Sequence, residues 1–367
     1  MWFNLFSLES QKPIGGDFSL KRSKSSWFET PWHTGFGPIC LMGSGRDALR
    51  ALMRTWPYKS TVLLSAFSCD AVISALACRK DLTIHLVDIG TNLYPDVTSL
   101  RRESEKDDQH KIVLVGNLFG LPYPPILMDF LSDATSWGVS IIEDRTHNLC
   151  NDIGFASDTW FASVRKWIPS PGLGIYSATD TNSLVDAPTT RFSLLLTLRY
   201  LIMRLIGVFL YRPKIRDFLV SMLRKSDVKL GSSRILIGNA FGASARIDQL
   251  EFLNFMEIRR QNASHFLRCL GTTPQLELLG AQVPYSPYSL TFSCRNYRDE
   301  LREYLRNRSI FAPVLWPVPE EYKLVYPNAY SLSKTVISIP IDQRYSVNDM
   351  ERIAIVINDF FSKVSAG

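Results

Sequence analysis

The sequence predicts an α/β protein: a mostly parallel central sheet with flanking helices, followed by a smaller C-terminal α+β domain. Three observations predict it. Short, continuous apolar runs recur at 61–67 (TVLLSAF), 83–89 (TIHLVDI), 111–117 (KIVLVGN) and 139–144 (VSIIED). Segments with helical character, 45–55, 69–78 and 123–137, precede or separate these runs. Beyond about residue 185 the alternation stops. Continuous apolar strands spaced by helices are what a parallel sheet buried on both faces requires.

Each element has its place in that scheme. The strands at 61–67, 111–117 and 139–144 end in Phe67, Asn117 and Asp144, which share one rim of the sheet. Ligands of such sheets bind outside the carboxyl ends of the strands, so this rim is where a site belongs. Residues 244–270 read as one long amphipathic helix. It leads into β-like runs at 288–294 and 336–340 and helices at 297–307 and 347–362. The expected division is an N-terminal arm over 1–37, a large domain over 38–243, and the long helix with a small domain over 244–367.

Composition narrows the function classes. At 367 residues, 46% hydrophobic and 21% charged, the chain is globular and large enough for two cores. A net charge of +6 and a pI near 8.9 permit an anionic ligand. No basic block interleaved with aromatics argues for nucleic acid. The six cysteines are scattered without a CxxC pair, so neither a zinc site nor a disulfide framework is expected, and a reducing cytoplasmic setting is. The opening MWFNLFSLESQKP lacks a basic n-region, and no signal peptide is expected. The stretch 192–211 (FSLLLTLRYLIMRLIGVFLY) has the length of a membrane span, yet Arg199 and Arg204 lie inside it. Each would cost a few kcal/mol at a bilayer centre. A helix covered by another subunit or domain is the expectation, with peripheral membrane contact as the alternative.

Three features of the rim carry chemistry. Glu143 and Asp144 close an apolar strand, which reads either as a solvated strand end with an Asp-type cap or as a buried acid placed for function. Lys166 follows a strand-like run and precedes the Pro/Gly-rich turn of WFASVRKWIPSPGLG (160–174), and reads either as an ordinary solvated lysine or as an amine held near the rim as a nucleophile toward carbonyls. GSGRDALRALM (43–53) is a Gly-Ser-Gly turn opening into a helix, where the amides of Ser44, Gly45 and Arg46 would cradle an anion. A strand-end acid, a lysine and a phosphate cradle are together what pyridoxal 5'-phosphate demands.

In order and spacing, these motifs resemble the DegT/StrS-type sugar aminotransferases, which use pyridoxal phosphate on fold type I, the aspartate aminotransferase fold. PIGGDF (13–18), SGRDALRAL (44–52), VLLSAFSCDAVISAL (62–76), LFGLP (118–122) and IIEDRTH (141–147) are similar to successive family motifs. SVRKWIPSPGLG (163–174) resembles the lysine loop of a branch with an Arg-Lys pair. APVLWP (312–317), YPNAYSLS (326–333) and SIPIDQRYSVNDM (338–350) resemble the C-terminal motifs of the same branch.

The resemblance implies roles. Asp144 pairs with the pyridinium nitrogen, Lys166 is the Schiff-base lysine and proton shuttle, and His147 bonds the phenolic oxygen. Ser163 joins Ser44, Gly45 and Arg46 at the phosphate, and Asn239 or Ser244 reaches a neighbouring subunit's phosphate in a homodimer. Cys69 occupies the ring-stacking position, where many members have an aromatic residue. Ser65, Asn117, Leu315, Gly172 and Leu173 also depart from the family pattern and put its usual substrate in doubt. The implied reaction moves an amino group, from glutamate, to a keto group of a nucleotide-linked sugar or a related keto compound in polysaccharide or secondary-metabolite assembly. A degenerate member that only binds cofactor or sugar nucleotide, as a regulator or scaffold, is the alternative. A sugar dehydratase would carry histidine in place of Lys166.

Overall fold

The computed structural model describes residues 13–15, 40–90, 93–106, 109–149, 155, 157–168, 172–178, 194–208, 213–232, 249–280 and 287–366. The first half builds β1 (Ile14–Gly15), β2 (Cys40–Met42), α1 (Gly45–Leu52), β3 (Thr61–Ser65), α2 (Asp70–Leu76), β4 (Thr83–Val87) and α3 (Val97–Ser104). It continues through β5 (Lys111–Gly116), α4 (Pro125–Ser136), β6 (Ser140–Asp144), β7 (Trp160–Ser163) and β8 (Gly174–Ser177). The second half builds α5 (Leu194–Val208), α6 (Pro213–Ser232), α7 (Gln249–Cys269), β9 (Leu276–Leu278) and β10 (Ser289–Cys294). After these come α8 (Arg298–Arg306), β11 (Ile310–Phe311), α9 (Pro327–Thr335), β12 (Val336–Pro340) and α10 (Val347–Ala366).

Seven strands form the central sheet in the order β2-β8-β7-β6-β5-β3-β4. Only β8 runs against the others, pairing antiparallel with both β7 and β2. The fold class read from the sequence is the one observed: a mostly parallel sheet, flanking helices and a further antiparallel sheet. The reason is visible in the pleat. Val62, Leu64, Ile112, Leu114 and Ile142 enter the core beneath α1 and α2. Their neighbours Leu63, Val113, Val115 and Ile141 enter the opposite core beneath α3 and α4. With both faces covered, the central positions of β3, β5 and β6 are apolar on both sides and the alternation of a half-exposed strand disappears.

The antiparallel sheet, order β12-β10-β9, packs with α7, α8 and α10 around a separate core that includes Phe266, Leu301 and Ile353. Asn262 of α7 is buried and its amide donates to the carbonyls of Ile341 and Tyr345, fixing the long helix to the segment after β12. The short parallel pair β1–β11 ties the start of the described chain to this half.

The described part of the 192–211 stretch, α5, packs one face on α6 of the same chain, through Ile202, Met203 and Ile206 against Leu219 and Leu223. Arg199 turns into this contact, where its guanidinium donates to the carbonyl of Leu223 and the hydroxyl of Ser226. An arginine was therefore evidence of a neighbouring helix as much as against a bilayer. Among the described residues no helix is long and apolar enough to cross a membrane.

Candidate active site

The carboxyl ends of β5, β6 and β7 and the turn between β2 and α1 converge on a cavity of about 230 Å³. Strand register sets this convergence. Gly116 lies level with Asp144, Asp144 with Phe161, and Gly174 bridges Ser163 and Met42. Ser44, Gly45, Arg46, Cys69, Asp144, His147, Ser163 and Lys166 all line the cavity, together with Asn117 and Trp316. The structure thus brings together every candidate named from the sequence except Asn239 and Ser244, which lie outside the described residues. Phe67, grouped with the rim beforehand, is fully buried instead, and its ring meets Trp316 edge-on at 5.3 Å.

The two adjacent acids, Glu143 and Asp144, part company at the pleat. Asp144 faces the cavity, where its carboxylate Oδ1 accepts from the backbone N–H of Thr146 at 2.9 Å. Glu143 points to the opposite side and is fully buried, paired with Arg145 at 2.7 Å and accepting from the amides of Phe155 and Ser157. Residues two apart share a strand's side, so Glu143 and Arg145 form an internal pair while Asp144 is left to the cavity. A solvated strand end does not describe Glu143, whereas Asp144 is partly exposed and lines the cavity.

Thr146 organises the rim. Besides its amide bond to Asp144, its hydroxyl accepts from the Ser163 N–H at 3.1 Å and its carbonyl accepts from the Trp167 indole at 2.8 Å. One residue thereby fixes the acid, the end of β7 and the residue after Lys166. Lys166 itself lies in a single 3-10 turn, Val164–Lys166, directly beyond β7.

Burial pushes the Asp144 carboxyl above its ordinary range, while the Thr146 hydrogen bonds and then the Lys166 ammonium pull it back. Burial also pushes the Cys69 thiol up, so it stands at the cavity wall as a neutral group. His147 is driven down to about 3, first by burial and then by the charges of Lys166 and Arg259. Its imidazole is therefore neutral near pH 7. The Phe119 N–H donates to Nδ1 at 3.3 Å, which leaves the proton on Nε2 and makes that nitrogen a donor. The ring is stacked on Tyr288 at 4.2 Å and lies near-parallel to Trp316 at 5.7 Å.

The turn between β2 and α1 is tight. Ser44 caps α1, accepting from the Asp47 N–H at 3.2 Å. A Cβ on Gly45 would fall 2.9 Å from the Ser163 side chain, and one on Gly174 would overlap the Ser44 carbonyl at 2.0 Å. Glycine at both positions lets the helix N-terminus, β7 and β8 close on one another, so the first-turn amides and Ser163 face one pocket.

These features fit pyridoxal phosphate. The cavity offers a lysine, a carboxylate, a helix N-terminus with a serine beside it, and a histidine Nε2 donor. It also holds a buried amide oxygen, Asn117 Oδ1, without a protein partner. Cys69, in the lining, offers no aromatic face. Phe161 and Trp316 are the aromatic carbon rings of the lining.

Sequence reasoning missed Thr146, Tyr288 and Arg259. Thr146 stood inside the quoted IIEDRTH, but nothing in its type announced three bonds. Arg259 lies fully buried on α7, with its guanidinium 4.3 Å over Trp167 and donating to Gln343 and the Tyr288 carbonyl. Trp316 had a signal in APVLWP, where only Leu315 was remarked on.

Comparisons with known proteins support the fold. No family model matches the chain, and no curated protein matches it. Solved structures do. A DegT DnrJ EryC1 StrS aminotransferase from Brucella abortus superposes with a TM-score of 0.60 at 17% identity, over 89% of this chain and 87% of that one. DesI, solved in the presence of its TDP-sugar product, gives 0.62 at 16% identity over 88% and 80%. PseC of Helicobacter pylori, an aminotransferase of pseudoaminic acid biosynthesis, gives 0.61 at 13% identity over 90% and 88%. At these identities the likeness establishes a shared architecture: the chain has the fold of the DegT/StrS aminotransferases, fold type I.

Proposed function

We propose that this chain is a pyridoxal-phosphate-dependent aminotransferase of the DegT/StrS type, acting on a keto group of a nucleotide-linked sugar with glutamate as the amino donor. The observation that carries the reading is the meeting of Asp144, Lys166 and the Ser44–Gly45–Arg46 turn in one cavity from three separated segments. The structural neighbours point the same way, since DesI was solved with a TDP-sugar product and a Streptococcus pneumoniae neighbour in its PLP form. The reading includes a homodimer in the cytoplasm.

When bound, the cofactor would supply an electron sink for the bonds at the substrate's reacting carbon. Lys166 would hold it covalently and, once displaced, carry a proton between the two carbons that exchange it. Asp144, ionised against a ring nitrogen, would keep that nitrogen protonated. The neutral His147 would donate from Nε2 to the phenolic oxygen. Ser44, Gly45, Arg46 and Ser163 would take the phosphate on first-turn amides and a hydroxyl. The apolar part of the wall strengthens each of these interactions by lowering the local dielectric. The presence of both Asp144 and Lys166 at the cavity gives no support to a chain that only binds.

The test is cofactor capture followed by turnover. Purified protein is expected to take up pyridoxal phosphate with a visible absorbance band, and borohydride is expected to fix the cofactor on Lys166. The band is then expected to disappear with glutamate and return with a keto-sugar nucleotide from a panel. An adduct mapped to another lysine, or no uptake, overturns the cofactor assignment. Uptake without glutamate-driven loss overturns the donor.

A further inference from the structure

The α5–α6 hairpin carries the chain's charge as well as an apolar surface. Residues 194–232 contain eight Lys/Arg and two Asp, so this segment alone accounts for the +6 of the whole chain, and the remainder is balanced. One face of α5 is used against α6. On the face turned away, Leu198, Leu201 and Leu205 are 44%, 51% and 42% exposed. Their spacing of three and seven residues puts them within roughly 60° of arc on a helix that turns about 100° per residue, and the exposed Arg204 flanks them. On α6 the exposed Lys214, Phe218, Ser221 and Lys225 fall on a single stripe, so an aromatic ring stands between two ammonium groups. Phe218 is 65% exposed.

We propose that this hairpin is a docking surface for a membrane bearing anionic phospholipid, lying in the plane of the interface with its leucines and Phe218 among the upper acyl chains. Charge selects this occupant. A second copy meeting the hairpin across a two-fold axis would bring two patches of like charge together, which opposes that contact. Anionic headgroups complement the lysines and the acyl chains beneath them complement the apolar stripe, the combination an interfacial helix requires. Crossing the bilayer is not part of the proposal, because neither helix is long and apolar enough.

The test uses the full-length protein and sedimentation with vesicles of phosphatidylcholine alone or mixed with phosphatidylglycerol. Binding is expected only to the mixed vesicles, with release at high salt. The double variant Lys214→Gln/Lys225→Gln is expected to bind about 25-fold more weakly, roughly fivefold for each charge removed near the surface. Leu201→Ser/Phe218→Ser is expected to bind more weakly at every salt concentration, with circular dichroism and melting reporting that both variants fold. No partition of the wild type into the mixed vesicles overturns the proposal, as does equal binding by the lysine variant. Self-association that Leu201→Asp abolishes, without vesicle binding, would assign the face to a second copy instead.

Discussion

Replacing Asp144 with asparagine changes one atom and one charge at the carboxyl end of β6. The structure dictates how the new amide must turn. Oδ1 is already claimed by the Thr146 N–H at 2.9 Å, so the asparagine oxygen stays there and its NH₂ faces the cavity. A ring nitrogen that meets an N–H donor cannot keep its own proton, and the proposed electron sink is weakened at its source. Two unit charges about 4 Å apart interact by roughly 4 kcal/mol at the effective dielectric of a partly buried site. Desolvation of Asp144 takes back part of this, leaving about 3 kcal/mol, or on the order of 10²-fold in rate. The assay is single-turnover loss of the cofactor band with glutamate, alongside equilibrium dialysis of the cofactor. Binding within a few-fold of wild type with a rate about 10²-fold lower is expected. Near-normal turnover would reduce Asp144 to a strand-end cap.

Three further outcomes follow from the same geometry. Glu143→Gln leaves the buried Arg145 without its carboxylate and should cost about 3 kcal/mol in urea unfolding, with cofactor stoichiometry unchanged. Thr146→Val strands the Ser163 N–H and removes the hydroxyl's hydrogen bond to Asp144, so about 1–2 kcal/mol of stability should go together with weaker cofactor binding, whereas Thr146→Ser should restore both. His147 is held neutral, down to about 3 from an ordinary 6.5. The unfolded chain therefore binds the extra proton between those values, and stability falls as pH drops through that window, by up to about 1.4 kcal/mol per pH unit from this group. Asp144, whose carboxyl is raised, contributes in the opposite sense. Unfolding of the cofactor-free protein from pH 6.5 downward should therefore show a shallower acid slope in His147→Gln, and equal slopes would refute the assignment.

The sequence by itself determined the central sheet and the place of the site on it. Strands covered on both faces must be apolar through their middle, so β3, β5 and β6 announced themselves as short apolar runs, and Asp144, Lys166 and Ser44–Gly45–Arg46 stood at strand ends or turns. The short strands β2 and β8, the helices α3 and α9 and the second half of the α5–α6 hairpin left weaker traces. Their burial comes from packing against other elements, as β2 against β8 and α6 against α5, and not from a local period. Tertiary structure alone decided which of two adjacent acids entered the cavity, because the pleat turns Glu143 toward Arg145 and Asp144 away from it. It also decided the tautomer of His147, through the amide of Phe119, and brought in Tyr288, Arg259 and Trp316 from beyond residue 250. Local propensity acts over a few residues, whereas a site wall is assembled by whatever the folded chain sets beside it.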